Sequence, residues 1–231
     1  MYSDWRFKAL EENEKDWFSL WCDIYTIDDL LVLINRNFEG DPLFNRVYIY
    51  KKEFQIEKIR EFFNGIKAKG FLFLNYEVEG LRKVDELKTM VLEEFKGRVV
   101  DFKIVDKVNL EEWIKVYCSA FDIPFNWKEE IYRRLKVISE DPKSKLILAY
   151  KGERALGSMA LYSTSKVLGI YCLGTLKEFR NMGVASSLLA YAFKEGKGKL
   201  VSLQTLASDN KEGFYLNRGF KTLYSKFIYS I

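Results

Sequence analysis

Residues 178–189 read EFRNMGVASSLL, and this stretch decides the fold. It sets Arg180, Gly183 and Ala185 in the spacing R-x-x-G-x-A, then passes at once into an apolar pattern of helical period. Ala185, Leu188, Leu189, Ala192 and Phe193 fall at i, i+3, i+4, i+7 and i+8, which predicts one buried helix face. The run before it, VLGIYCLGT at 167–175, is apolar at both alternating sets of positions, which predicts a central strand buried on both sides. A strand that ends in a turn and opens a helix presents unpaired backbone N–H groups and the positive end of a dipole, a ready anion site. Gly183 lets backbone approach a ligand closely. Arg180 adds a donor fork suited to phosphate oxygens, and Ser186 and Ser187 add hydroxyls. These are the parts of a diphosphate cradle. Neither G-x-G-x-x-G nor G-x-x-x-x-G-K-[ST] occurs, so the dinucleotide fingerprint and the P-loop are excluded.

Working outward, residues 99–231 read as strand (VVDFKIV), helix 110–120, loop 121–127, helix 128–139 stopped by Asp141-Pro142, and strands at 145–150, 155–163 and 167–175. The helix of the opening stretch follows, then strand 200–206, helix 210–217 and a long last strand from Phe220. Tyr150-Lys151-Gly152-Glu153 has hairpin-turn chemistry. Residues 1–98 form an aromatic-rich α/β region in which the patterns predict a helix over 28–34, a strand from Val47, a helix over 55–66, a strand over 71–78 and a helix over 84–95. No motif in that region carries chemistry. A soft boundary near residue 98 has no Pro/Ser-rich linker, which predicts two parts packed together rather than swinging freely.

The chain has 231 residues, 48% of them hydrophobic, enough for one large domain or two small ones with a sizeable core. Its net charge of +4 is carried by residues 99–231, while 1–98 is slightly acidic. The lysines are scattered, with no basic run or RNP-like aromatic strand, so a small polyanion fits better than nucleic acid. The start, MYSDWRFKAL, has no apolar core of a signal peptide. No apolar run approaches the roughly 18 residues of a spanning helix, so no membrane partner is expected. Cys22, Cys118 and Cys172 fit neither a zinc spacing nor a disulfide framework and read as buried thiols in a reducing cytoplasm; Cys172 reads as core rather than nucleophile. The absence of histidine removes Ser-His-Asp and Cys-His catalysis and the commonest nitrogen ligand of zinc, so no metal site is expected.

The run GTLKEFRNMGVASSLL resembles motif A of the GCN5-related N-acetyltransferase (GNAT) family: hydrophobic strand, R/Q-x-x-G-x-G/A, helix. A second block, ASDNKEGFYLNRGF, resembles that family's motif B, and one helix and one strand separate the two, as in the family. The resemblance covers about residues 100–231. It implies an α/β fold with a mixed, mostly antiparallel central sheet flanked by helices, preceded by a smaller α/β region at 1–98 that is open to being a degenerate copy. It also implies acetyl-CoA as co-substrate. Leu173 and Thr175 then stand where strand backbone pairs with the pantetheine arm. Asn181, Met182, Gly183, Val184, Ala185 and Ser186 stand where backbone N–H groups hold the pyrophosphate, with Arg180 leading the loop. Asn210 matches the asparagine that contacts the CoA arm, a role compatible with capping the next helix. Tyr215 matches the tyrosine whose hydroxyl protonates the departing thiolate, and a phenol near pKa 10 is a competent donor to a thiolate of pKa about 8–9.

Lys177 stands where the family often has proline, and Gly213 lies inside the short helix at a usual alanine position. Residues 167–175 hold no carboxylate, so the general base is not assigned on that strand. The implied reaction is direct acetyl transfer to a primary amine of a small molecule or peptide. The acceptor wall is expected in CSAFDIPFNW, from Phe121, Phe125 and Trp127, with Asp122 facing an ammonium; taken singly, each of these aromatics reads slightly better as core. Two other readings stand beside this one: a non-catalytic acetyl-CoA-binding regulatory module, and an N-acyltransferase using a longer acyl-CoA. The oligomeric state is open, a homodimer included.

Overall fold

The computed structural model describes residues 4–231; the first three residues of the charged start lie outside that range. In chain order the elements are α1 (Trp5–Trp21), β1 (Asp23–Ile27), β2 (Leu30–Ile34), β3 (Asn45–Ile49), α2 (Ile56–Gly65), β4 (Phe71–Leu74), β5 (Lys83–Leu92), β6 (Lys103–Val105), α3 (Leu110–Ala120), α4 (Lys128–Glu140), β7 (Ser144–Lys151), β8 (Arg154–Ser163), β9 (Val167–Thr175), α5 (Val184–Glu195), β10 (Leu200–Leu206), α6 (Glu212–Leu216) and β11 (Phe220–Ser230).

By packing, the chain divides into two compact units, each drawn from three stretches. The first takes the segment up to Glu14 with Met90–Gln204 and Gly213–Lys221; the second takes Lys15–Thr89, Thr205–Glu212 and Thr222–Ile231. The division runs through α1, β5, β10, α6 and β11.

In the first unit the strand order is β10-β9-β8-β7-β6. β9 pairs β10 in parallel and the other neighbours are antiparallel. Helix α5 buries Val184, Leu188, Leu189 and Ala192 in an apolar cluster with Leu156, Leu161, Leu168, Ile170, Val201 and Leu203. Ala185 is only half-buried and Phe193 is exposed, so the buried face is turned toward Val184 and Ser187 from the expected stripe. In α3 the Asn109 side chain caps the helix by accepting from the Glu112 N–H at 3.0 Å. The Trp113 indole N–H donates to the carbonyls of Ile147 (3.1 Å) and Met159 (3.3 Å), tying α3 to β7 and β8.

In the second unit the order is β1-β2-β3-β4-β11-β5. β3 and β4 are parallel, joined through α2, while β1–β2, β2–β3 and β4–β11 are antiparallel. α2 buries Ile59 and Phe63 against Val32, Val47, Leu72 and Leu74. Strands in each unit are thus mostly antiparallel and carry helices, as the expected fold class requires.

Two expected helices are strands. Asp28 and Asp29 form the turn of a hairpin, with Asp28 at φ +51°, and Leu30–Ile34 pairs back onto β1. A short, wholly apolar run fits either element by pattern, and the partner strand decides. Residues 83–92 likewise form β5, whose last four residues are all buried. Conversely, α1 carries Glu11, Asn13 and Glu14 on its buried side, each 3% exposed or less, which hides its apolar stripe from a periodicity reading.

Asn13 shows why a polar residue belongs there. Its Nδ2 donates to the Tyr162 carbonyl (3.0 Å) and to the Thr164 hydroxyl (3.4 Å), and its Oδ1 accepts from the Tyr171 hydroxyl at 2.8 Å. Gly169 of β9 provides the space, since a Cβ there would come within 2.2 Å of Asn13 Oδ1. The amide thus fastens the first turns of α1 to β8 and β9. Asn13→Ala is expected to cost about 1–3 kcal/mol, because the hydrogen bonds that its buried amide makes to Tyr162, Thr164 and Tyr171 are lost. A lowered denaturant midpoint with an unchanged slope is the result to look for; an unchanged midpoint would contradict the fastening.

Candidate active site

The site grows from the end of β9. Its pairing to β10 runs from Val167↔Leu200 to Ile170↔Leu203, and β9 continues to Thr175. On its other edge the register with β8 slips: Ser158 pairs Gly174, and two residues along β8 Ala160 pairs Tyr171. Three steps on β9 therefore oppose two on β8, which is a β-bulge. Cys172, at φ +51°, is the residue that turns. A non-glycine residue in this left-handed region is uncommon and costs roughly 1–2 kcal/mol. The Ser158 hydroxyl, itself buried, donates to the Cys172 carbonyl at 3.4 Å. Past the bulge, Leu173 packs on the same apolar cluster as α5. The Thr175 hydroxyl oxygen is buried with no hydrogen-bond partner among the described residues.

A 3-10 turn, Lys177–Phe179, then leads into the loop. It is held to β8: the Arg154 guanidinium meets Glu178 at 2.6 Å and lies 4.5 Å over the Phe179 ring. Asn181 (φ +65°) and Gly183 (φ +90°) both take left-handed conformations, and Gly183 is the N-cap of α5. Glycine is required at 183 for that φ, and also because a Cβ would lie 2.7 Å from Val100 Cγ2. The expected reason, close approach of a ligand, is therefore joined by a packing reason. Gly157 of β8 lets the helix start sit low, since a Cβ there would strike Val184 Cγ1 at 2.7 Å. Val184, Ala185 and Ser186 occupy the first turn, whose N–H groups have no acceptor within the helix. Asn181 and Met182 are exposed and Val184 is buried.

The polar side chains expected to face a ligand are partly committed elsewhere. Ser187 Oγ donates to the Val100 carbonyl (2.8 Å) and accepts from the Val100 N–H (3.0 Å). Ser186 Oγ accepts from Arg218 Nε at 2.9 Å. Arg180 Nη2 donates to the Ala120 carbonyl (2.9 Å), with a longer Nε contact to the Thr175 carbonyl (3.4 Å). Backbone donors of the helix start, more than side-chain hydroxyls, are what this loop offers an anion.

Tyr215 lies in α6 and rests with Phe214 against the same cluster as Leu173 and α5. Its ring meets Phe220 edge-on at 5.7 Å. Arg218, which the sequence reading passed over, clamps α6 to α5: it bonds Ser186, donates to the Phe214 carbonyl at 2.8 Å and lies 3.5 Å over the Phe214 ring. Burial pulls its pKa below the usual guanidinium value. Asn210 belongs to the other compact unit. It adopts φ +54° at the end of a 3-10 turn and donates from Nδ2 to the Ser208 carbonyl at 3.1 Å. It is two residues short of α6, so it is not the N-cap of that helix.

Beyond α3, none of the three aromatics of the expected acceptor wall is core. Phe121 is 45% and Phe125 84% exposed, and Trp127 is half-buried. Phe121 rests on β9: a Cβ on Gly174 would lie 2.7 Å from its ring and 2.8 Å from Ala120 Cβ. Phe125 has the Lys128 ammonium 5.1 Å from its ring. Asp122 is paired with Lys177 at 2.7 Å, so an arriving ammonium would have to compete for it.

The residues present fit acetyl-CoA. An orphaned hydroxyl stands at Thr175, bulged backbone lies beside it, and an uncapped helix start follows the next loop. Among the described residues, no group of three or more His, Cys, Asp or Glu side chains is placed to hold a metal ion.

Residues 110–220 match the family model described as the acetyltransferase (GNAT) family. No curated protein sequence matches the chain. Among solved structures, the chain is similar to a functionally unknown conserved protein from Staphylococcus epidermidis (18% identity, TM-score 0.70, covering 90% of this chain and 93% of that one). It is also similar to a GCN5-related N-acetyltransferase from Kribbella flavida (14%, TM-score 0.69, 96% and 94%) and to one from Sphaerobacter thermophilus (14%, TM-score 0.61, 87% and 76%). The structural likeness extends into residues that the family model leaves uncovered.

Cys22 and Cys118 are buried, whereas Cys172 is half-buried as a residue; desolvation of its thiol still pushes the pKa up to about 12, so at pH 8 the thiol is protonated. Iodoacetamide at pH 8 followed by peptide mapping is expected to label Cys172 only once denaturant is added. Labelling of the native protein at the rate of a free thiol would contradict the desolvation of that thiol.

Proposed function

We propose that this protein, whose residues 110–220 match the acetyltransferase (GNAT) family model, is an acetyl-CoA-dependent N-acetyltransferase acting on a primary amine of a small molecule or peptide. The observation that carries the reading is the bulged end of β9, with the orphaned Thr175 hydroxyl, followed after one 3-10 turn and a short loop by the N–H groups at the start of α5, which have no acceptor within the helix.

Acetyl-CoA, when bound, supplies an activated thioester. The chain's residues then divide the work. Leu173 and Thr175 offer strand backbone and one hydroxyl to the pantetheine arm. The N–H groups of Asn181, Met182, Gly183, Val184, Ala185 and Ser186 hold the pyrophosphate, aided by the dipole of α5. Arg180 keeps that loop in place. The Leu173 N–H, the first after the bulge, would be the donor to the thioester carbonyl, with its stabilisation greatest where negative charge develops. Tyr215 donates a hydrogen bond to the sulfur and passes its proton as the C–S bond breaks; from a phenol near pKa 10 to a thiolate of conjugate-acid pKa about 8–9 this transfer is uphill by only about one to two units, and water then returns a proton to the phenolate. The amine must arrive neutral, and since β9 holds no carboxylate its proton leaves through water to a carboxylate off the strand. Phe121 forms the acceptor wall nearest β9, with Phe125 and Trp127 farther out.

Three cysteines with free thiols fit a cytoplasmic setting. No helix among the described residues is long and apolar enough to cross a membrane.

Thiol release measured with acetyl-CoA across a panel of primary amines is expected to show turnover. CoA binding without turnover on any amine would favour the regulatory module, and faster release from longer acyl-CoAs would favour the longer donor. Tyr215→Phe is expected to lower kcat by about 10²-fold or more while the Kd for CoA stays near that of the unaltered protein. Equal rates would remove Tyr215 from the chemistry.

A further inference from the structure

Arg180 leads the phosphate loop, yet its guanidinium is turned onto backbone carbonyls. Nη2 donates at 2.9 Å to the carbonyl of Ala120, the last residue of α3, and Nε reaches the Thr175 carbonyl at 3.4 Å. A cation at a helix C-terminus meets carbonyls that have no intrahelical partner and the negative end of the dipole. Arg180 therefore joins three things: the end of α3, the end of β9 and the start of the phosphate loop.

Two further fastenings lie beside it. Lys177 pairs with Asp122 at 2.7 Å, linking the 3-10 turn before the phosphate loop to the second residue after α3. Asp122 sits at φ +52°, the left-handed turn that redirects the chain away from the helix. Phe121 and Ala120 close over Gly174, where any side chain would collide with both. So the segment leaving α3 is attached to the β9 end and to the approach of the phosphate loop by a forked hydrogen bond, an ion pair and a ring contact. Exposed ion pairs contribute little individually; the guanidinium, bonded to two backbone carbonyls, is the stronger tie.

Resting on the reading of 181–186 as the CoA loop and of 121–127 as the acceptor wall, we infer that Arg180 is a positioning residue that couples the two: occupancy of the phosphate loop by CoA fixes the acceptor segment through the Ala120 carbonyl. The coupling is reciprocal, as linkage demands, so a bound amine would in turn tighten CoA. The expected kinetic consequence is a preference for CoA binding first, because the acceptor wall is best formed once the loop is filled.

Hydrogen exchange of the full chain, with and without saturating CoA, tests this. In the unaltered protein CoA is expected to slow exchange in residues 181–187 and, in parallel, in 120–127. In Arg180→Gln, saturated with CoA, the slowing in 181–187 is expected to persist while that in 120–127 falls by about five-fold or more, the low end of ordinary coupling. Lys177→Ala, an exposed change with little risk to folding, is expected to reduce the slowing in 120–127 by a smaller amount. Undiminished slowing of 120–127 in both variants would overturn the inference. So would an unaltered protein in which CoA protects 181–187 alone. Loss of all CoA binding in a folded Arg180→Gln would overturn it too, by making Arg180 a phosphate ligand. Absence of any CoA protection in the unaltered protein would instead sink the underlying assignment of the loop.

Discussion

The left-handed turn of β9 at Cys172 is the constraint from which the site follows. One extra residue against β8 changes the direction in which the remaining strand presents its backbone. Without the bulge, Leu173 and Thr175 would continue the flat pleat. With it, the strand end stands apart from the pairing that β10 makes lower down. The surroundings hold this strain in place: the Ser158 hydroxyl bonds the Cys172 carbonyl, burial keeps the Cys172 thiol neutral, and Ala120 with Phe121 fills the space over Gly174. Backbone strain that persists because its neighbours over-determine it is common at functional sites.

Around that turn the molecule spends its polar groups on position. Ser187 engages both backbone groups of Val100, Ser186 receives Arg218, and Arg180 reaches two carbonyls. Each bond fixes where the first turn of α5 sits relative to β8 and β9. The helix start itself then carries the attraction for an anion. This division has an electrostatic logic: N–H groups held rigidly need no reorganisation when charge arrives, while a long exposed side chain must first be ordered.

Much of this was legible in the chain. Leu110–Ala120, Val167–Thr175 and Leu200–Leu206 have the bounds their patterns predicted, because each is a continuous apolar or strongly amphipathic run closed by a clear stop. The helix opening at Gly183 was readable from R-x-x-G-x-A and the apolar period that follows. Residues 28–34 and 83–92 were not, since short apolar runs satisfy both periods and only their partner strands select one. The start of α1 was hidden by Glu11, Asn13 and Glu14, polar residues that are buried because the tertiary structure gives them a place there.

What the sequence determined by itself is the local chemistry: a strand, a glycine in the turn that follows it, a helix start, and a tyrosine on a short helix downstream. Those depend on residues near one another along the chain, whose propensities and spacing act locally. Only the tertiary structure decided what those residues do with their side chains. The bulge at Cys172 needs β8 as its reference strand. The role of Arg180 needs the Ala120 carbonyl, sixty residues away in sequence, and that of Arg218, just past α6, needs Ser186 on α5. A side chain's partner is fixed by which elements pack together, and no local spacing encodes it.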